Sequence, residues 1–192
     1  MSKRKEATTS WQDTVSDWLV SIIVAVALAF CIRTFLVEPY MVEGSSMHPS
    51  LLHHERLVVN KLGAFIGKPE RGEIIVFRYP KDQSRDFIKR VIAVEGDTIA
   101  MVNGDVYVND SKLVENYIYK NDPKGKNLSD FPKTTVPANT VFVLGDNRNN
   151  SEDSRFINVG FVPLDLIKGR AMFVFWPMGN FRTLPADTGA AK

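Results

Sequence analysis

The architecture of this chain is most readable between Glu73 and Val108, where the sequence runs EIIVFRYPKDQSRDFIKRVIAVEGDTIAMVNGDVYV. Runs rich in β-branched and aromatic residues, which favour strands, alternate here with residues that favour turns. The first run stops at Pro80 and the second stops at Gly96-Asp97. Asn103-Gly104 separates two further short runs, and this dipeptide is a strong signal for a two-residue β-hairpin. The pattern predicts consecutive antiparallel strands.

Similar runs continue this pattern on both sides. Arg56 to Asn60, Thr140 to Leu144 and Arg170 to Phe175 are rich in β-branched or aromatic residues, which predicts further strands. Helix should be scarce after Tyr40, because no long segment there keeps an apolar period of 3.6 residues. The sequence therefore predicts a mostly β domain over residues 38–177, built as a coiled antiparallel sheet or a barrel.

Two segments of the chain are predicted to be irregular. Residues 116–136 are polar and contain Pro123, Gly125 and Pro132, a composition typical of an exposed excursion between strands. Residues 178–192 are predicted to form a loose C-terminal tail.

An apolar run of 20 residues occupies positions 18–37 and is broken by only three polar residues. At about 1.5 Å rise per residue, a helix of this length covers roughly 30 Å, the thickness of one hydrocarbon core. Lys3, Arg4 and Lys5 precede the run, and a basic flank favours a cytoplasmic N-terminus. The pattern predicts a cytoplasmic segment over residues 1–17, a single-pass transmembrane signal anchor over residues 18–37, and an extracytoplasmic domain on the plasma membrane.

Two alternatives to the anchor fit the sequence less well. A cleavable secretory signal has a shorter apolar core and a small-residue cleavage site, whereas Glu38-Pro39-Tyr40 follows the run here. A buried core helix would need neither the basic flank nor the scarcity of polar positions. The sequence favours the anchor.

Composition excludes several kinds of function. The net charge is +2, from 24 basic and 22 acidic side chains, so the chain lacks the basic excess of a nucleic-acid-binding protein. Cys31 is the only cysteine and lies in the predicted anchor, which excludes a disulfide framework, a multi-cysteine zinc site and a cysteine nucleophile. The three histidines, His48, His53 and His54, lack the His-Glu-x-x-His arrangement of zinc peptidases. We expect them to lie in a surface loop, with no metal and no cofactor.

A serine-rich turn, Gly44 to Pro49, follows the predicted anchor. A serine hydroxyl is a weak nucleophile until a neighbouring base removes its proton, and a lysine is the remaining candidate base. An unperturbed lysine is rarely neutral at pH 7, at a cost of about 4.6 kcal/mol, but burial reduces this cost. Lys89 is the best candidate because Phe87-Ile88 and an apolar run flank it, although lysines in strands usually point to solvent.

A polar segment from Gly145 to Arg155 directly follows a predicted strand. Its composition is compatible with an ordinary hydrophilic loop. It also combines hydroxyls, carboxylates and arginines, which could hold a base and lock the loop through ion pairs.

Taken in order, these segments resemble the type I signal peptidases, the bacterial leader peptidases, and especially their short Gram-positive-like members. Ser46-Met47-His48-Pro49 matches the Ser-Met-x-Pro nucleophile motif of that family. Lys89-Arg90-Val91, followed by Gly96-Asp97, matches its lysine box. Gly145 to Arg155 matches its Gly-Asp-Asn-Arg-x-x-Ser-x-Asp-Ser-Arg box. The resemblance covers nearly the whole chain and implies a serine endopeptidase that removes signal peptides from translocated preproteins.

The resemblance implies a catalytic dyad of Ser46 as nucleophile and Lys89 as general base. The backbone N–H of Ser46 would donate to the oxyanion. Some members of the family carry a hydroxyl residue two positions before the nucleophile as a second donor, but this chain has Gly44 there. The second oxyanion donor therefore stays open.

The resemblance also implies supporting roles for polar residues of the dyad's surroundings. Ser151 would orient the amine of Lys89. Asp153 would structure the site by pairing with Arg90 or Arg155, and Asp146 would support the same loop.

Substrate binding is expected by strand addition, with residues 38–44 and 86–88 flanking an extended peptide. Small side chains of an Ala-x-Ala site would fit shallow pockets, for which an ordinary core role is the alternative; the candidate residues are Val42, Met47, Leu51, Phe87 and Ile88. Secreted preproteins, the lipid bilayer and nearby translocation machinery are the expected partners. The rival from another class is a membrane-tethered, non-catalytic β-domain that binds partner proteins.

Overall fold

The computed structural model describes residues 11–31, 33, 36–62, 67–118 and 130–188. These residues contain one α-helix, α1 (Trp11–Cys31). They form the strands β1 (Val37–Met41), β2 (Arg56–Asn60), β3 (Ile74–Tyr79), β4 (Asp82–Val94), β5 (Thr98–Val102), β6 (Asp105–Val108), β7 (Ser111–Lys112), β8 (Phe131–Thr135), β9 (Thr140–Leu144), β10 (Val162–Pro163), β11 (Ile167–Trp176) and β12 (Arg182–Thr183). Short 3₁₀ turns cover Arg148–Asn150, Leu164–Leu166 and Met178–Asn180. The prediction of a mostly β protein is confirmed.

The chain forms two compact units, of which the first extends to Leu36 and the second starts at Val37. In the first unit, α1 begins at Trp11, before the predicted start of the apolar span at Trp18. Val37, the predicted last residue of that span, belongs to β1. Among the residues that the structure describes, no helix has both the length and the apolar character needed to cross a membrane.

The second unit contains two antiparallel sheets. The larger has the strand order β1-β2-β11-β3-β4-β9-β10, and β12 pairs with β11. The smaller has the order β7-β6-β5-β8. The hairpin predicted at Asn103-Gly104 is confirmed: it joins β5 to β6, and both residues have positive φ, as a two-residue turn of the type I′ requires.

The apolar run in β3 is explained by burial on both of its faces. Ile74 and Val76 pack into a core cluster with Met47 and Leu51, which belong to the turn after β1. Ile75, on the opposite face, belongs to a second core cluster that is built mainly with β9 and β10. A central strand buried on both faces needs a continuous apolar run rather than an alternating one.

The two segments that were predicted to be irregular are partly ordered. Phe131–Thr135, within the predicted excursion 116–136, forms β8 and pairs with β5, while residues 119–129 lie outside the described part of the chain. In the predicted tail, Arg182–Thr183 forms β12, which pairs with β11. The backbone N–H of Asp187 also donates to Gly72. Hydrogen bonds to β11 and to the turn at Gly72 thus hold residues 182–187, although this segment has no strand-like sequence.

Candidate active site

The turn that carries Ser46 lies between β1 and β2 and is anchored from below. Met47 and Leu51 are 2% and 0% exposed and pack into the core beneath it. Within the turn, the N–H of His48 donates to the carbonyl of Ser45, and the N–H of Leu51 donates to that of Met47. Buried apolar residues and local hydrogen bonds thus fix the backbone on which the Ser46 hydroxyl is mounted.

Lys89 reaches this turn from the middle of β4. Its side chain is nearly inaccessible, with the residue 4% exposed. The Nζ atom lies 2.9 Å from Oγ of Ser46 and 3.0 Å from the carbonyl oxygen of Ile88. The Ser46–Lys89 pair is therefore within hydrogen-bond distance, the geometry needed for proton transfer between hydroxyl and amine.

Burial lowers the pKa of Lys89 from 10.5 to about 8, because removing the amine from water disfavours its ammonium form. The carboxylates of Asp153, Glu152 and Asp146 oppose this shift and raise the pKa. With a pKa near 8, about one lysine in ten is neutral at pH 7, compared with fewer than about one in a thousand for an ordinary lysine. The site therefore supplies a base near neutral pH.

The loop from Gly145 to Arg155 packs directly against the backbone of the serine turn. The N–H of Asn147 donates to the carbonyl of Ser46 at 3.0 Å. Its side-chain amide donates to the carbonyl of Ser45 at 3.1 Å, and the amide of Asn150 donates to the Ser45 hydroxyl at 2.7 Å. A Cβ atom at Gly145 would lie 2.5 Å from the carbonyl oxygen of Ser46, so this close approach requires a glycine.

Two of the buried ion pairs of this loop fix its aspartates. Asp146 accepts two hydrogen bonds from Arg90, from Nε at 2.9 Å and from Nη2 at 2.7 Å. Asp153 accepts two from Arg155, at 2.8 Å and 2.9 Å, and one from the N–H of Gly145 at 3.0 Å. Arg90 and Arg155 are the two partners predicted for Asp153. The structure pairs Asp153 with Arg155, whereas Arg90 pairs with Asp146.

Ser151 lies beside the dyad, but its predicted bond to the lysine is not formed in this structure. Its Oγ atom is buried and has no hydrogen-bond partner among the described residues. The atom lies next to Gly145, where an added Cβ would be 2.2 Å away from it. The role of Ser151 in orienting Lys89 stays a prediction.

Gly44 has a positive φ of 87°, a conformation that favours glycine. Lack of space is not the reason for the glycine, because a Cβ there would meet no neighbouring atom within 4 Å. Its N–H donates to Nδ1 of His53 at 3.0 Å. The ring of His53 lies against that of His54, with centroids 3.7 Å apart and planes tilted by 33°. In the described part of the chain no group of three or more His, Cys, Asp or Glu residues is arranged to hold a metal ion.

A groove of about 500 Å³ runs along the dyad, between the end of β1 and the first half of β4. Four of the five predicted pocket residues line it, namely Val42, Met47, Phe87 and Ile88. The fifth, Leu51, does not line the groove and is fully buried in the core below. Sequence could not separate these cases, because a pocket wall and a core position both call for an apolar residue.

A second support of the serine turn was missed by the sequence analysis. Arg182 of β12 donates to the carbonyl of Ser50 at 2.7 Å and to both carboxylate oxygens of Glu55 at 2.8 and 2.6 Å. Glu55 is 1% exposed, and its pKa is lowered by the hydrogen bonds from Arg182, Leu52 and Asn180, which outweigh the effect of burial. The sequence carries no signal for this contact, because 127 residues separate the two partners.

Comparison with known proteins finds a matching family model and several similar chains. Residues 15–176 match the family model described as signal peptidase, peptidase S26. A signal peptidase I of Bacillus amyloliquefaciens is 42% identical over 187 residues, which is 94% of this chain and 93% of that protein. Signal peptidase I T of Bacillus subtilis (strain 168) is 41% identical, over 88% of this chain and 90% of that protein.

Among solved structures, a signal peptidase I from Enterococcus faecalis V583 is 35% identical to the chain. The match covers 55% of this chain and 97% of that one, with a TM-score of 0.48. The family model spans most of the chain, and the two Bacillus relatives align with it almost from end to end. The chain therefore belongs to the signal peptidase family, peptidase S26.

Proposed function

We propose that this protein is a membrane-anchored serine endopeptidase that removes N-terminal signal peptides from translocated preproteins, cutting after an Ala-x-Ala site. Its nucleophile is Ser46 and its general base is Lys89. The observation that carries the proposal is the 2.9 Å contact between the buried Lys89 amine and the Ser46 hydroxyl. Membership of the peptidase family supports the same conclusion and disfavours the rival of a non-catalytic binding domain.

The reaction follows from the protonation states of the dyad. Neutral Lys89 accepts the hydroxyl proton while Oγ of Ser46 attacks the scissile carbonyl. The backbone N–H of Ser46 donates to the oxyanion of the tetrahedral intermediate. When this intermediate collapses, the Lys89 ammonium returns its proton to the leaving amine and an ester of Ser46 remains. Water, deprotonated by Lys89, then hydrolyses the ester and regenerates the serine.

Substrate binding is proposed to occur by strand addition in the groove. Parts of both predicted segments, residues 40–43 and 86–88, line it, and β1 is an edge strand of the larger sheet, with backbone groups available to an extended peptide. Val42 and Met47 line the groove but are only 4% and 2% exposed, so a substrate would meet only a small part of each side chain. We propose that alanine-sized side chains of the substrate bind against this apolar surface.

The membrane attachment is proposed from the N-terminal unit and from one rim of the domain. The apolar side chains of α1 are exposed along its length, including Trp18 at 68% and Ile23 at 66%, as expected of a helix that is surrounded by lipid. We propose that residues 18–37 anchor the protein, with the N-terminus cytoplasmic and the catalytic domain extracytoplasmic, near the translocation machinery. Trp176 at the end of β11 is 52% exposed and suits an interfacial position.

The direct test is cleavage of a preprotein with an Ala-x-Ala site by the full chain in detergent. Wild type is expected to cut after the second alanine, whereas Ser46→Ala and Lys89→Ala are expected to be inactive but folded. Ser45→Ala is the matched control, because its hydroxyl binds Asn150 and does not touch Lys89. Full activity in either dyad variant, or no cleavage by wild type, would refute the proposed mechanism.

A further inference from the structure

The groove beside the dyad contains charged side chains that the mechanism does not use. Glu43, Asp86 and Glu152 are its carboxylates. Asp86 is neutralised by Lys168, whose Nζ lies 2.6 Å from Oδ2. Glu152 is exposed, and its hydrogen-bond partners among the described residues are neutral: the hydroxyl of Tyr79 donates to Oε1 at 3.0 Å and the amide of Asn158 lies 3.5 Å away. No cation of the described residues forms an ion pair with this carboxylate.

The position of Glu152 relative to the dyad follows from its place in the loop. It stands between Ser151 and Asp153, in the segment that packs on the serine turn. Its charge acts on Lys89, together with those of Asp153 and Asp146. Those two aspartates are each clamped by an arginine, whereas no ion pair to Glu152 is formed within the described residues. Of the three carboxylates that act on Lys89, Glu152 is thus the one available to bind a substrate.

Aromatic contacts hold this carboxylate in place. The ring of Tyr79 stacks on that of Phe87, with centroids 4.6 Å apart and planes 13° from parallel. The stack fixes the hydroxyl that binds Glu152. Arg85, the nearby cation of the groove, lies 5.5 Å from both ring centroids, so it contacts the aromatic faces. A preoriented carboxylate loses little conformational freedom when a ligand binds.

We propose that Glu152 forms a subsite for a basic side chain of the substrate, next to the scissile bond. The enzyme would then favour preproteins with Lys or Arg at one position adjoining the Ala-x-Ala cut. This inference rests on the proposed function and adds a determinant of substrate choice to it. Because exposed ion pairs contribute up to about 1 kcal/mol, the preference should reach roughly fivefold and should weaken as salt screens it.

The test uses the full chain in detergent and a set of peptides that share one Ala-x-Ala site. The parent peptide has Gln at the x position and at the first two positions after the cut, and each Gln is replaced singly by Lys. For wild type, kcat/KM is expected to rise about threefold to fivefold for Lys at one position. Glu152→Gln should bring this Lys-to-Gln ratio to about one, and Glu43→Gln should preserve it.

Three results would overturn the inference. They are the absence of a lysine preference at every position, its persistence in Glu152→Gln, and an equal loss in Glu43→Gln, which would indicate a diffuse field. Wild-type cleavage of the parent peptide separates the two proposals. If the parent is not cut, the proposed function fails; if it is cut without any lysine preference, only the Glu152 subsite fails.

Discussion

Lys89 and Arg90 are neighbours on β4 and are almost equally buried, at 4% and 3% exposure, but their surroundings differ. Arg90 meets the carboxylate of Asp146 with two hydrogen bonds and covers the ring of Tyr117 at 4.0 Å. Lys89 contacts a hydroxyl and a carbonyl oxygen and forms no ion pair with the described carboxylates. At the same degree of burial, Arg90 thus forms an ion pair that holds the loop, whereas the pKa of the Lys89 amine is lowered to about 8.

The largest effect is expected at Lys89. We expect Lys89→Met to lower kcat/KM by at least about a thousandfold, because Lys89 is the base that hydrogen-bonds the Ser46 hydroxyl in the described part of the chain. The same change should stabilise the fold at pH 7, by an amount of up to about 3 kcal/mol, since it removes a buried group whose protonated form is disfavoured. Urea unfolding at pH 7 measures this gain.

The gain in stability should depend on pH in a defined direction. The pKa of Lys89 is about 8 in the fold and 10.5 in the unfolded chain, so the unfolded state binds more protons between these values. Wild-type stability contributed by this group therefore rises with pH across that window, and the advantage of Lys89→Met should shrink there. A constant advantage from pH 7 to pH 10 would contradict the origin of the pKa shift.

Breaking the neighbouring clamp should have the opposite sign. Asp146→Asn leaves the Arg90 guanidinium buried without its carboxylate, so we expect a loss of about 3–5 kcal/mol in unfolding free energy. The measurement is the urea midpoint at constant m value. The matched control is the double variant Arg90→Met with Asp146→Leu, in which no unpaired charge remains. If the double variant is as unstable as Asp146→Asn, the loss does not come from an unpaired charge.

The pH profile of catalysis sharpens the comparison further. Because neutral Lys89 is the base, kcat/KM should rise with pH through a pKa of about 8 and then level off. Activity at pH 7 should be about a tenth of the plateau value. A profile that is flat between pH 6 and pH 9 would exclude a titrating lysine.

The smallest effect is expected at the ion pair of Arg182 with Glu55, which is more exposed than that of Arg90 with Asp146. The side chain of Arg182 is 33% exposed, but its partner Glu55 is 1% exposed. Arg182→Gln should therefore cost about 2 kcal/mol of stability, because the buried carboxylate loses its cation but keeps the hydrogen bonds from Leu52 and Asn180. Because Arg182 holds the Ser50 carbonyl, Arg182→Gln should also lower kcat while leaving KM nearly unchanged. Arg182→Lys, which keeps the charge, should recover part of kcat. Equal changes in kcat and KM would indicate loss of the groove rather than displacement of the serine turn.

The elements that local pattern controls were the ones that sequence could predict. Asn103-Gly104 fixes its hairpin through its own conformational preference, and the apolar run of β3 reports burial. The partner of Asp153 was left open, because the path of the loop is set by contacts far away in sequence. Leu51 was assigned to the pocket because composition does not distinguish a groove wall from the core beneath it.

Resemblance, rather than local pattern, singled out the dyad. A lysine between apolar residues of a strand can point to either face of the sheet. The local sequence does not show which face Lys89 points to, because the register of β4 in the sheet decides it. The contribution of Arg182 was out of reach for another reason. A two-residue strand has too few positions to show a periodic pattern, so β12 was read as a tail.

The hydrogen bond from Asn147 to Ser45 joins residues that are 102 positions apart in the chain. Ribosomes make proteins from the N-terminus, so the nucleophile is synthesised well before the loop that fixes its backbone and before the residues of β12. We expect the nascent chain to carry its serine in an unassembled state for most of its synthesis. We expect the arrangement around Ser46 to be completed only after residues 182–187 have been synthesised and have formed their hydrogen bonds to the rest of the domain.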